Sequence, residues 1–180
     1  MKDHKIRLVS FQDIQKYLLG KNLLESLVIS TRFIEEKKEF EFVTDIPFDN
    51  DLRKLDNSKS LRKFRLLCFS NIRDIHFKSD IIKQYNLSIE KESHVIQDYK
   101  LELNNRNNLF INIYVDSRIG EVSFLFDDLI VKEKVGISKK IGINNYKYFN
   151  YYTNEEFDFY RPFPLAPPPA GTPAGATSGE

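Results

Sequence analysis

Leu109-Phe-Ile-Asn-Ile-Tyr-Val-Asp-Ser-Arg-Ile-Gly-Glu-Val-Ser-Phe-Leu-Phe126 repeats one rhythm twice. Leu109, Ile111, Ile113 and Val115 alternate with Asn112 and Tyr114, and Val122, Phe124 and Phe126 resume the pattern after a turn over Asp116–Gly120. Successive side chains of a strand point to opposite faces, so this period of two marks antiparallel strands with one covered face. Upstream, Val95, Tyr99, Leu101 and Leu103 alternate with Asp98, Lys100 and Glu102, and Asn104–Asn108 is rich in turn formers. Three strands joined by short turns make a meander, and the third is expected to run on towards Val131.

Outward from the meander, Leu27, Ile29, Thr31 and Phe33 alternate with Val28, Ser30, Arg32 and Ile34. The charged run Glu35–Glu39 and then Phe40-Glu-Phe-Val43 complete a hairpin. Asp45–Ser60, with Pro47 and many Asp and Asn residues, reads as a loop. Leu61–Phe69 is dense enough in apolar residues for an internal strand, and Ile72, Ile75 and Phe77 are expected to continue it past a bulge or tight turn at Ser70-Asn71. Ser79–Asn86 reads as a short helix or turn. The one clear helix starts at Ser10, whose hydroxyl can accept from a free backbone N–H beside Asp13. Phe11, Ile14, Tyr17 and Leu18 share a face, and Gly20 is the expected stop. About ten residues do not hold a helix alone, so it must pack on the sheet. The fold class is α+β: an antiparallel meander, closed as a sandwich or a half-barrel, with one short N-terminal helix packed on it.

Composition sets the boundary. Residues 1–165 contain no alanine, whereas the last fifteen contain Ala166, Ala170, Ala174 and Ala176, and every proline but Pro47 lies at or after Pro162. The body uses AT-rich codons and the tail GC-rich ones, so two DNA histories meet near residue 161. Residues 1–160 read as a single domain, and 161–180 as a disordered Pro/Ala/Gly-rich tail of read-through or vector-derived sequence. Over the 180 residues, 27 basic and 26 acidic side chains leave a net charge of +1. That balance supplies no overall field towards nucleic acid or an anionic membrane. No secretory signal or membrane-length apolar run is visible, and the lone Cys68 forms no internal disulfide, so a cytoplasmic setting is expected.

Catalytic signals are sparse. His4, His76 and His94 lack the close spacing of zinc ligands, and Asp49-Asn-Asp51 lacks the glycine and distal glutamate of an EF-hand, so no metal or cofactor is expected. Cys68, between Leu67 and Phe69, reads as a buried, inert thiol. No serine elbow or phosphate-binding glycine loop occurs; Gly20, Gly120, Gly136 and Gly142 are each assigned to a turn or cap. Asp127-Asp128 on a strand would point to opposite faces. Arg53, Lys54, Lys59, Arg62, Lys63 and Arg65 form a local basic stretch, read as a solvated loop and strand edge because acidic residues intervene and whole-chain charge is near zero. The segment Tyr146–Tyr160 is aromatic and acidic. It reads equally as a last strand or helix that closes the core, with tyrosine hydroxyls at the rim, and as an interface, which tyrosine favours; on the interface reading Tyr148, Tyr151, Tyr152, Glu155, Glu156 and Asp158 are the candidate partner-binding residues, together with Asp49 and Asp51 of the loop.

Phe64-Arg-Leu-Leu-Cys-Phe-Ser-Asn-Ile-Arg-Asp-Ile-His-Phe77 carries an F-x-N-V-x-D type element after a buried β run and leads into Val95–Val131. That order resembles small β-rich bacterial immunity-type proteins, which implies neutralisation of a toxin by binding. The AT-rich body joined to a GC-rich tail is similar to an accessory gene on a mobile element, such as an integron cassette. The resulting expectation is a non-catalytic module whose partner is another protein, with a homodimer through an unpaired edge strand as a further option. A small-molecule domain or modest enzyme with a Phe/Tyr-lined pocket is the alternative, and nucleic acid bound by Arg53–Arg65 ranks third. Deleting residues 165–180 is expected to leave the melting temperature unchanged; a fall of several degrees would put the domain boundary elsewhere.

Overall fold

The computed structural model describes residues 4–21, 23–45, 59–86, 94–142, 145–150 and 154–156. They form eleven strands, one α-helix and two 3-10 turns. In chain order these are β1 (His4–Leu8), α1 (Phe11–Gly20), β2 (Leu27–Ile34), β3 (Glu39–Asp45), β4 (Lys59–Ser70), β5 (Arg73–Phe77), β6 (His94–Val95), β7 (Asp98–Leu103), β8 (Leu109–Asp116), β9 (Gly120–Phe126), β10 (Asp128–Gly142) and β11 (Asn145–Asn150). Two antiparallel sheets result. One runs β1-β10-β4-β3-β2-β6, with β11 also paired to β10; the other runs β5-β9-β8-β7. The expected α+β class with a mainly antiparallel sheet and a short N-terminal helix is what the chain adopts, and among the described residues no barrel closes.

The meander is β7-β8-β9, as expected, with Ile111 opposite Leu101 and Phe124. Its alternating burial puts Leu109, Ile111, Ile113, Val115, Val122, Phe124 and Phe126 inside. The other sheet answers with phenylalanines. Phe69 lies edge-on to Phe124 and Phe126 at ring separations of 5.2 and 5.1 Å, and Phe40 meets Phe124 at 5.6 Å and Phe77 at 6.0 Å. Edge-to-face pairs of this kind add to the area they bury.

Helix α1 begins as its sequence dictates. Ser10 Oγ accepts from the Asp13 N–H at 3.1 Å and donates to Asp13 Oδ2 at 2.7 Å. Ile14 and Leu18 are fully buried, while Phe11 and Tyr17 pack at the margin. Gly20 is not the positive-φ stop expected of it. It is the last helical residue, and Lys21 caps the end at φ −102°, with its N–H still donating to Tyr17 O at 3.0 Å.

Several boundaries move. Asp45 belongs to β3, and Lys59 and Ser60 belong to β4, so the expected loop is shorter at both ends; 46–58 lie outside the described residues. Ile72–Phe77 does not prolong β4 within its sheet. Asn71 takes φ 52°, and the chain crosses to pair β5 with β9. Nor does the third meander strand reach Val131: it ends at Phe126, and Leu129 and Val131 sit in β10 of the opposite sheet. The two crossings lie side by side, Asp128 opposite Ser70, with Asp127 N donating to Ser70 O at 3.1 Å. Val95 is split from β7 and pairs with Leu27 in the first sheet. Val95 and Leu103, expected on the covered face, are 38% and 45% exposed. Gly120 makes a positive-φ turn as expected (φ 99°), but Gly136 lies within β10 and Gly142 closes it. The first strand was not anticipated: Ile6 and Leu8 alternate too briefly to stand out, and the edge of β10 recruits them.

Phe69→Ala removes a ring in contact with Phe124 and Phe126, and truncation of a buried Phe costs about 3–5 kcal/mol. Urea unfolding is expected to show a loss of that size with little change in m-value. A loss below about 1 kcal/mol would mean that the two sheets are not held by this seam.

Candidate functional site

Strands β4 and β10 are far longer than the sheet that surrounds them. β3 pairs with β4 only over Phe64–Phe69, and β1 pairs with β10 only over Leu129–Glu133 apart from the ends. Beyond those limits, among the described strands, residues 59–63 of β4 and 136–142 of β10 pair with each other and with β11 alone. The result is a three-stranded arm. From Gly136 to Gly142 it extends about 20 Å at ~3.4 Å per residue.

The charge of its paired segments is of one sign. Lys59, Arg62 and Lys63 come from β4, Lys139 and Lys140 from β10, and Lys147 from β11; residues 59–63, 136–142 and 145–150 contain no Asp or Glu. With the whole chain at +1, everything outside the arm is net negative. Lys59 stands directly opposite Lys139, and Lys139 directly opposite Lys147, so three lysines cross the arm in one row. Directly opposed side chains on adjacent strands have Cβ atoms about 4.5–5.5 Å apart, and like charges there are unfavourable. The arm mitigates this at its outer edge. Lys139 Nζ lies 3.9 Å from the centre of the Phe149 ring and donates to Asn154 Oδ1 at 3.2 Å, while Lys147 Nζ meets Glu156 Oε2 at 2.9 Å. A single bridge, Phe149 to Glu156, lays residues 154–156 along β11.

The expected binding residues are only partly brought together. Glu155 and Glu156 are exposed at the arm's edge, and Tyr148 occupies the β11 position opposite Ser138. Tyr151, Tyr152, Asp158, Asp49 and Asp51 lie outside the described residues. The basic stretch is corrected at one end: Arg65 is fully buried and cannot face a phosphate. Its Nε donates to Thr44 Oγ1 at 2.9 Å, Nη1 to Lys21 O at 3.0 Å and Nη2 to Ser26 Oγ at 2.6 Å. Tyr17 donates to Glu133 Oε1 at 2.8 Å beside it. Burial draws the guanidinium below its ordinary pKa, and the charges of Asp45 and Glu133 oppose that; burial and Glu133 push the Tyr17 phenol up. This network ties α1 to the sheet. The lysines of β10 and β11 were not singled out as partners of Lys59–Lys63, because some 75 residues separate them in sequence and only strand pairing makes them neighbours.

Two further clusters have chemistry. Glu39, Glu41 and Cys68 place their ligand atoms within 4.8 Å of one another. Burial, with Glu39 and Glu41 nearby, pushes the Cys68 thiol up to about 12, and Arg32 already donates to Glu41 Oε2 from Nε at 3.1 Å and Nη2 at 2.6 Å. A protonated thiol and an occupied carboxylate make a poor cation cage. Elsewhere, His94 on β6 and Asp116 at the end of β8 join through Nδ1 and Oδ2, clipping one sheet to the other, and Tyr85 stands edge-on to the imidazole at 5.7 Å. Asp116 Oδ1 accepts from the backbone N–H groups of Arg118 and Ile119, both at 2.9 Å. Partial burial pushes the Asp116 carboxyl up, but the Ile119, His94 and Arg118 donors outweigh it and hold the group below its ordinary value. Comparison with protein-family models, curated proteins and solved structures found no match.

Because the folded-state pKa of Asp116 is depressed, its contribution is fully present above the ordinary carboxylate value of ~4 and disappears as pH falls through the lower folded value. Asp116→Asn should lower stability at pH 6 yet leave a smaller difference from wild type near pH 2.5. A difference constant across that range would mean that the carboxylate charge is immaterial to the clip.

Proposed function

We propose that this protein acts by binding a macromolecular partner, not by catalysis, and that the three-stranded arm is its contact element. The observation that carries the reading is the in-register lysine row on an arm whose three paired segments carry only basic charges, with Glu156 at its edge paired to Lys147. Within a domain, a fold gains nothing from opposing like charges across three strands. An anionic surface set against the row removes the repulsion and gains charge-assisted contacts.

A second reading keeps the resemblance to immunity-type inhibitors. It is favoured by exposed Glu155 and Glu156 on the β11 edge, which offer an acidic strip to a basic enzyme surface. The two readings predict opposite charge preferences. Retention of the full chain on heparin-agarose, a polyanion, and its elution by salt separate them. Lys139→Glu with Lys147→Glu should abolish retention while changing Tm by less than ~2 °C, since surface substitutions are usually within about 0.5 kcal/mol. Wild-type protein that passes through heparin unretained at low salt would overturn the arm as a polyanion contact.

A further inference from the structure

We infer that the open edge of β7 is the seat of a symmetric homodimer, in which two copies pair these strands antiparallel about a twofold axis at Leu101. β7 belongs to the sheet that does not carry the arm, and among the described strands it pairs with β8 alone. Ladder alternation decides which of its backbone groups are open. Asn104 N donates to Asn108 O at 3.0 Å, in register with the β7–β8 pairs. Every second residue back from Asn104, namely Glu102, Lys100 and Asp98, therefore turns its N–H and C=O towards β8. Leu103, Leu101 and Tyr99 turn theirs to the open edge. The other described edges are guarded. β1 carries Lys5 and Arg7, which would stand opposite each other in a self-pairing about Ile6. β5 has a register shift and Asp74 at φ 49°, β6 is two residues long, and Glu156 bridges to β11. β7 pairs without a register shift and holds no proline or glycine.

Charge selects a second copy as the occupant, and one register of it. With Leu101 opposite Leu101 of the second copy, Lys100 faces Glu102 of the second copy, Glu102 faces its Lys100, and Asp98 faces the neutral Asn104. Within one chain Lys100 Nζ meets Glu102 Oε2 at 2.7 Å, so the two share a face, and their side chains are 68% and 43% exposed. Pairing two copies sets these four charges in a square of alternating sign. A slip by two residues, the smallest that keeps the open backbone groups paired, destroys the square. One direction opposes Lys100 to Lys100 and Asp98 to Glu102, and the other opposes Glu102 to Glu102. The apolar face agrees with the same register. Tyr99 comes to stand opposite Leu103 of the second copy, a side chain 45% exposed in the single chain. The two four-stranded sheets then become one, by strand addition in which the added strand is identical and the interface self-complementary.

The test uses the full chain, with its mass read by sedimentation equilibrium. A rise from 21.2 kDa to twice that value is expected between about 1 and 300 μM, because so short an interface associates weakly. Symmetry makes one substitution act twice. Lys100→Glu and Glu102→Lys each set like charges opposite one another and should weaken dimerisation about tenfold or more. Mixing the two variants should restore it, since one then presents only acidic and the other only basic side chains at these positions. Damage to the fold by either substitution would not be repaired by mixing. In the wild-type chain the amide protons of Tyr99, Leu101 and Leu103 should exchange more slowly at the higher concentration, a readout that needs no variant. A mass of 21.2 kDa throughout that range would overturn the inference. So would dimers that both single variants leave unchanged, or species that grow beyond the dimer.

Discussion

Phe69 touches Phe124 and Phe126 across the space between the sheets, and Phe40 touches Phe124 and Phe77. These contacts are the constraint on which the rest depends. The five rings come from four strands of the two sheets, and neither sheet can hide its apolar face alone. Once this seam is set, the short turns of the meander, the register of β3 against β4 and the seat of α1 have little remaining freedom.

The seam also requires the chain to change sheets. It does so twice at one level, after Ser70 and after Phe126, and Asp128 secures the place by accepting from Ser70 and from Arg7, the latter Nε at 2.6 Å. Because β4 and β10 leave that level paired over their whole length, they run past the ends of β3 and β1. The arm is therefore a consequence of strand lengths that do not match. Two neighbouring strands outlast their sheet, and β11 folds back to cover one edge. Arg65 lies where the arm meets the sandwich, and its hydrogen bonds to Thr44, Ser26 and Lys21 O turn a charged side chain into an internal tie under α1. Leaving such a group unpartnered would cost several kcal/mol, so the three donors together, not the charge, explain its burial.

Much of the fold was legible. The meander, the β2–β3 hairpin and the Ser10 cap follow from alternation and capping chemistry, which act over a few residues. The failures share a cause. Ile72–Phe77 and Leu129–Val131 have strand patterns, but nothing in a local pattern says which sheet a strand joins; the positive φ at Asn71 and the paired crossing decide it. Gly20 and Gly136 were assigned by residue type, whereas a helix and a long strand simply ran through them. The candidate site was legible only in part. Glu155 and Glu156 do reach the arm, but the lysines that give it its character belong to segments that look like ordinary solvated strands when read one at a time.

By itself the sequence determined the α+β class, the strands of the meander, the start of the helix and the near-zero net charge, because each is written along the chain. Only the tertiary structure decided that Arg65 is an internal tie, that the two long strands change partners at one level, and that Lys59, Lys139 and Lys147 stand in a row. The physical reason is the same in each case. Strand pairing joins residues that are distant in sequence, and charge acts through the distance it creates, so a chain balanced in composition carries an arm whose paired segments hold charge of one sign.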